Sequence, residues 1–242
     1  MGKVIMSGIV PLLTKPSAGI LASDIAVGSI VKLMESGSAV EYLVVHQGLP
    51  SSLYDASCNG CWLLRKDIYC SYYWDTTKSS AYETSTIHYE LSQMFLPKLG
   101  SIETETIKQI KIPYLSGGGK SGTLQSGANG LSCKAFPLSG YEVGWTTSDN
   151  QYFPADGAKL DYFAPGKDSS ANPKRIANYN GDAAFWWLRS PWTGDNTSVW
   201  CVQNTGADSA PYAEESHGYR PALILPSNAL FDTDTMILKG VA

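Results

Sequence analysis

At 242 residues the chain is long enough for one large domain that buries its own core. A net charge of −4, charged residues at only 17% and the lack of any basic block argue against a nucleic-acid partner, which needs clustered Lys and Arg. No apolar run approaches the length of a transmembrane helix, so membrane insertion is not expected. Solubility must rest on Ser, Thr, Asn, Gly and 14 Tyr; with 7 Trp, that composition suits an extracellular or virion-surface protein better than a cytosolic enzyme.

Residues 1–23 read as an N-terminal arm. The apolar run from Met1 to Leu13 is broken by Gly8 and Pro11 and lacks a small-residue cleavage site, a poor signal peptide. Met6 stands where myristoylation needs Ser or Thr. The reading is a protein that is cytosolic when made and that, if it works outside, leaves the cell at lysis within a particle. Ile5, Ile9, Val10, Leu12 and Leu13 are more than a short arm can bury. The arm is therefore expected to dock on another subunit, with a homo-oligomer as the expected assembly.

One domain is expected over residues 24–242. Gly28 to Met34, a turn at Glu35–Ser38, and Val40 to His46 predict a β-hairpin. Trp62 to Tyr69 predicts a third strand. Ser85 to Lys98 predicts the main helix: Thr84 or Ser85 caps it, Ile87, Leu91, Met94, Phe95 and Leu99 recur at helical spacing, and Gly100 ends it. Ile107 to Pro113 alternates as a strand, and 116–132 reads as a mobile Gly/Ser-rich loop. Lys134 to Leu138 is a short strand, Gly140 to Trp145 a turn or short helix, and 146–182 irregular. Then Phe185-Trp-Trp-Leu-Arg-Ser-Pro191 and Gly218-Tyr-Arg-Pro-Ala-Leu-Ile-Leu-Pro226 bracket a polar stretch that only Val199-Trp-Cys-Val202 interrupts. Short strands, one good helix and long loops make the expected class α+β.

No catalytic or metal constellation stands out. Cys58-Asn-Gly-Cys61 has the spacing of half a zinc site and Cys70 offers a third ligand, but no fourth follows at suitable spacing; the five cysteines read as ordinary thiols, and no metal or other cofactor is expected. Gly117-Gly-Gly-Lys-Ser121 resembles a phosphate loop, yet Tyr114 occupies its first Gly position and the residues after Ser121 cannot sustain a helix. His46, His88 and His217 form no ligand pair, and no Gly-x-Ser-x-Gly elbow exists. Strand alternation places Trp186 and Trp187 on opposite faces, one in the core and the other at an edge or against a neighbour. Trp192, in a loop, is the expected exposed anchor. Arg189 and Arg220 read as structural, tying loop carbonyls with their several donors.

The paired blocks Trp186-Trp-Leu-Arg-Ser-Pro191 and Gly218-Tyr-Arg-Pro-Ala-Leu-Ile-Leu-Pro226 resemble the carboxy-terminal signature of an uncharacterised domain family of gut bacteria and their phages. The likeness extends upstream through Leu43 to Tyr54, Trp62 to Ile68, Ser85 to His88, Ile110 to Pro113, Ser126 to Ser132, Glu142 to Trp145 and Ser169 to Ile176. The resemblance implies a C-type-lectin-like fold in the layout of formylglycine-generating enzymes, with the two signature strands in the core and the loops between them as the ligand face. Some members are variable proteins of diversity-generating retroelements. The calcium motifs of lectins are absent here, only Cys201 stands where formylglycine chemistry needs two cysteines, and the His cluster of related iron enzymes is missing. Randomised Asn codons do not yield Trp, Gln or Glu, so Trp192, Gln203, Glu214 and Glu215 are template-fixed or the loops were never diversified.

The expected function is non-enzymatic ligand binding and adhesion: a phage-particle protein recognising a bacterial surface glycan or protein. The expected ligand face comprises Trp192, Asp195, Asn196, Thr197, Ser198, Gln203, Asn204, Asp208, Tyr212, Glu214, Glu215 and His217. The alternative is a structural virion protein of head decoration, tail or baseplate, whose loops contact other virion subunits; a glycan-acting enzyme using Asp195 and Glu215 ranks third. The expected location is the virion, or else the bacterial cell surface or the host cytoplasm before lysis.

Overall fold

The computed structural model describes residues 18–164 and 172–242. Two five-stranded sheets carry the fold. The first is antiparallel, in the order Ala135–Phe136, Ala222–Leu225, Gly60–Arg65, Ser38–Gly48, Ile30–Glu35. Its hairpin turns on Ser36 and Gly37, both at positive φ (49° and 83°), which matches the natural strand twist. Ile30–Glu35 alternates, burying Val31, Leu33 and Glu35; the buried Glu35 carboxylate receives the Arg65 guanidinium at 3.1 Å and the Tyr42 hydroxyl. Gly60–Arg65 lies between two strands and is covered on both faces, so its apolar run is nearly continuous.

The second sheet runs Asp208–Ser209, Val199–Val202, Trp186–Pro191, Ser216–Tyr219, Cys70–Tyr73. Trp186–Pro191 pairs antiparallel with Val199–Val202 and parallel with Ser216–Tyr219, where Trp186 faces Gly218. Arg220 and Pro221 then carry the chain into the first sheet at Ala222, so the signature Gly218 to Pro226 is two strands in two sheets. The predicted strand Trp62 to Tyr69 is shorter than expected: it ends at Arg65, and the next strand, Cys70–Tyr73, belongs to the other sheet.

The main helix spans 86–98, with Ser85 as its cap: Oγ accepts from the His88 N–H at 3.0 Å. It changes pitch along its length, from α at Thr86–Tyr89 to π at Glu90–Phe95 and 3-10 at Leu96–Lys98, where Pro97 forbids a regular ending. Ile87, Leu91 and Phe95 face the core; Met94, predicted on that face, is exposed. A short helix that the sequence reading missed, Ser101–Thr106, follows directly. Mostly antiparallel strands with one main helix and long loops make an α+β architecture.

Several expectations change. Residues 18–23 are not arm: Gly19–Leu21 pairs with Ala229–Asp232, which also pairs with Leu238–Val241, so the domain includes Gly19. The rest of the predicted arm, residues 1–17, lies outside the described residues, as do 165–171, within which the Ser169 to Ile176 likeness begins. Trp186 and Trp187 are both fully buried, because both faces of their strand are covered. Trp186 donates to the Arg175 carbonyl at 2.9 Å, and Trp187 to that of Tyr72 at 3.0 Å. The loop 116–132 is structured: Tyr114–Ser116 pairs with Thr123–Gln125, and Leu131–Cys133 with Ile110–Ile112. The irregular stretch hides a hairpin, Ala177–Tyr179 with Asp182–Ala184, turning on Asn180-Gly181.

Arg189 is the polar knot between these layers. Fully buried, it donates to the carbonyls of Pro113, Pro137 and Asp156 at 3.0–3.1 Å and forks onto the Glu142 carboxylate at 2.5 and 2.6 Å. Glu142 also accepts from the Tyr54 hydroxyl at 2.6 Å. The next residue, Ser190, bonds the buried Asp156 carboxyl at 2.8 and 2.9 Å and accepts from the Gly140 N–H. The loops at 113, 137–142 and 156 are thereby fastened to the strand that leads into Trp192.

Candidate functional site: an acidic, aromatic groove

The loop after Trp186–Pro191 is closed by short-range bonds. The Trp192 N–H donates to the Ser198 carbonyl at 2.9 Å. Within this closure Asp195 caps the turn, its carboxylate accepting from the Thr197 and Ser198 N–H groups at 2.8 and 2.7 Å and from the Ser198 hydroxyl at 2.9 Å. Partial burial pulls its pKa upward, but these donors win and hold the carboxyl below its usual range.

A second loop braces the first. Gly119 sits so close that a Cβ there would overlap the carbonyl oxygens of Trp192 and Asp195. The Lys120 N–H donates to the Asp195 carbonyl at 2.8 Å, while Asn196 and Ser121 exchange two bonds at 3.1 Å. The Gly-rich segment that resembles a phosphate loop is therefore a backbone brace, and Lys120-Ser121 leads to a strand rather than a helix.

The opposite wall is the stretch from Asp208 to Glu215. The Val199 N–H donates to the Pro211 carbonyl at 3.1 Å and the Ala213 N–H to the Thr197 carbonyl at 2.8 Å, which hold Tyr212 across from Ser198. The floor is Trp200, buried and stacked on Phe153 at 3.8 Å between ring centroids. Phe153 stacks on Trp145, over which the Arg175 guanidinium lies at 4.0 Å. The Tyr152 carbonyl accepts from Trp200 Nε1 and from Thr193, and its ring packs on Trp192 at 4.7 Å.

Between the walls lies an open groove of about 550 Å³. Of the predicted face, Trp192, Asp195, Ser198, Asp208, Tyr212 and Glu215 line it. Thr197 and Glu214 line an adjoining hollow that shares Tyr212, where Lys78 pairs with Glu214 at 2.6 Å. Asn196 sits on the rim, bonded to Ser121. Three predicted residues do not join the groove. Gln203 donates to the Asp208 carbonyl at 2.9 Å and fixes a strand end, while Asn204 and His217 line a separate hollow with Tyr179 and Phe185. The His217 ring lies between those of Phe185 and Trp187; burial lowers its pKa while nearby Glu215 opposes that.

Trp192, expected as the most exposed anchor, is half-buried against Tyr152; Tyr212, at 58% exposure, is the open aromatic. Sequence reasoning missed Asn150 in the groove lining and Tyr152 behind Trp192. Their only signal was an aromatic pair in a polar stretch. Three carboxylates and no Lys or Arg line the groove, so it offers hydrogen-bond acceptors and aromatic surface at negative potential.

Cys58 and Cys61 line neither the groove nor the hollow beside it. The Cys58 thiol donates to the Lys111 carbonyl at 3.2 Å, and burial pushes the Cys58 and Cys61 thiols up to about 11 and about 12. Among the described residues no three His, Cys, Asp or Glu side chains gather as metal ligands, and no helix is long and apolar enough to cross a membrane.

The family described as a domain of unknown function (DUF6273) matches residues 59–227, well over half of the chain. The chain belongs to the DUF6273 family. The DUF6273 span holds the whole second sheet, the groove and both signature blocks; the Ile30–Gly48 hairpin and the last two strands lie outside it. No curated protein and no solved structure matches the chain.

Proposed function

We propose that this DUF6273 protein is a non-enzymatic ligand-binding module whose groove recognises a carbohydrate, and that it serves adhesion to a bacterial surface from a phage particle. The observation that carries the binding reading is the groove: an exposed Tyr212 and a half-exposed Trp192 over a braced floor, with Asp195, Asp208 and Glu215 as acceptors. Sugar hydroxyls donate to carboxylates, and the apolar faces of sugar rings lie against aromatic rings; rigid aromatics give contact area at low entropic cost. Adjacent placement of the Trp186–Pro191 and Ser216–Tyr219 strands, with the groove built from the loops between them, supports the C-type-lectin-like layout. The particle setting rests on the signature's resemblance and on the low-charge, aromatic-rich composition.

Asp195 gives the enzyme reading little support. Tied to two backbone N–H groups and a hydroxyl, its carboxylate is held ionised, which suits only the base or nucleophile of a hydrolytic pair and not the protonated acid that glycoside hydrolysis also needs. The test is a glycan array together with whole-cell binding by the purified full chain. Saturable binding to a glycan, without its hydrolysis, is expected. No binding to any glycan or cell surface contradicts the proposal.

A further inference from the structure

Arg220 differs from Arg189. Only 1% exposed, it donates through Nε to the Arg65 carbonyl at 3.0 Å and through Nη2 to the Lys66 carbonyl at 2.8 Å, and it lies over the Trp186 ring at 4.7 Å. Nη1 is buried with no hydrogen-bond partner, and no carboxylate among the described residues pairs with Arg220. Arg189, equally buried, has the Glu142 carboxylate on its fork. A buried charge without a counter-charge and a buried donor without an acceptor both cost stability.

Arg220 forms part of the wall of an open hollow of about 180 Å³ that shares no lining residue with the aromatic groove. Two further cations stand on that wall. Lys174 Nζ donates to the Tyr162 carbonyl at 2.7 Å, and Lys66 pairs with Glu41 at 2.6 Å. Asp67 is the lining's one carboxylate against these three cations, and Leu43, Ile176 and Ala177 supply apolar surface. The volume is below that of drug-sized sites, which start near 300 Å³, and suits a group of a few heavy atoms.

We infer that this hollow is a binding site for a small oxyanion, a phosphate or carboxylate group, held between the guanidinium of Arg220 and the ammonium of Lys174 on its wall. The anion supplies the missing counter-charge to Arg220, and charge-assisted bonds such as that from Lys174 are the strong ones. Burial pulls the guanidinium down to about 9, so Arg220 still carries its charge at neutral pH.

The test is calorimetric titration of the full chain with inorganic phosphate and, separately, acetate at constant ionic strength. Saturable binding of at least one anion is expected. Lys174→Gln should weaken it about tenfold, the equivalent of one charge-assisted bond. Asp67→Asn should tighten it, and Arg220→Lys should weaken it while keeping the charge. Should Arg220→Lys fail to fold, Lys174→Gln and Asp67→Asn carry the test, since neither side chain anchors a buried strand. No saturable binding of either anion, or equal affinity in wild type and Lys174→Gln, overturns the inference. Glycan binding at the groove is measured in the same variants and should not change.

Discussion

At the residue scale, the buried polar groups divide into those matched on the spot and those in tension. Arg189 and Glu142 are matched, and removing one partner leaves the other charged and buried. Glu142→Gln should therefore cost about 3–5 kcal/mol in denaturant unfolding. A loss below about 1 kcal/mol, the scale of a surface pair, would show that Arg189 does not organise the loops it touches. Asp156 is in tension: burial pushes its carboxyl up to about 7, with Arg189 and Ser190 pulling the other way. Its folded pKa thus lies above the unfolded one, so the native state holds its proton more tightly than the unfolded chain. Its contribution to stability is complete below the unfolded pKa near 4 and is lost as pH rises through about 7. Asp156→Asn, an isostere of the protonated acid, should flatten the fall in melting temperature over that window. An unchanged difference between the two proteins from pH 4 to 8 would contradict this.

At the element scale, the groove is a product of braces. Gly119 touches the carbonyls of Trp192 and Asp195, so Gly119→Ala forces the two loops apart. It should destabilise the protein by about 1–3 kcal/mol, the range for overpacking, and speed hydrogen exchange at 117–121 and 192–198. Unaltered exchange there would mean that the brace does not hold the rim. Trp186→Ala and Trp187→Ala should each cost about 3–5 kcal/mol, since both rings are buried and both indole N–H groups are bonded. Alternation along Trp186–Pro191 is a local signal and correctly separates the two faces. It cannot report that Trp74 and His217 cover one face and Arg220 the other, which are contacts made by remote segments. The Ile30–Gly48 hairpin was legible because its burial period and turn lie within a few residues. Asn180-Gly181 was equally legible as a hairpin turn, but the polar residues around it masked the signal. The break after Arg65 was not legible because the chain bends at Lys66-Asp67, residues with no Gly or Pro to mark a turn, and then passes to the other sheet.

At the scale of the whole molecule, the same division explains the site. The 192–198 loop and the Asp208–Glu215 wall were found because Trp, Tyr and short polar side chains concentrate there. Their supports, Tyr152, Phe153 and Gly119, come from segments far away in sequence, and only the fold brings them in. His217 was drawn into the predicted face by its acidic neighbours, although strand direction turns it to the hollow beside Phe185. Trp192 is half-buried on Tyr152, so its truncation should lower stability as well as the proposed binding. Tyr212 is the cleaner probe because its ring is mostly in solvent. The most direct measurement is the affinity of wild type and Tyr212→Ala, by calorimetry, for the glycan that gives the strongest array signal. A loss of roughly 2 kcal/mol or more, the range for a central aromatic anchor, with the melting temperature unchanged, is what a recognition groove predicts. Equal affinity in the two proteins would contradict it and place the ligand elsewhere on the surface.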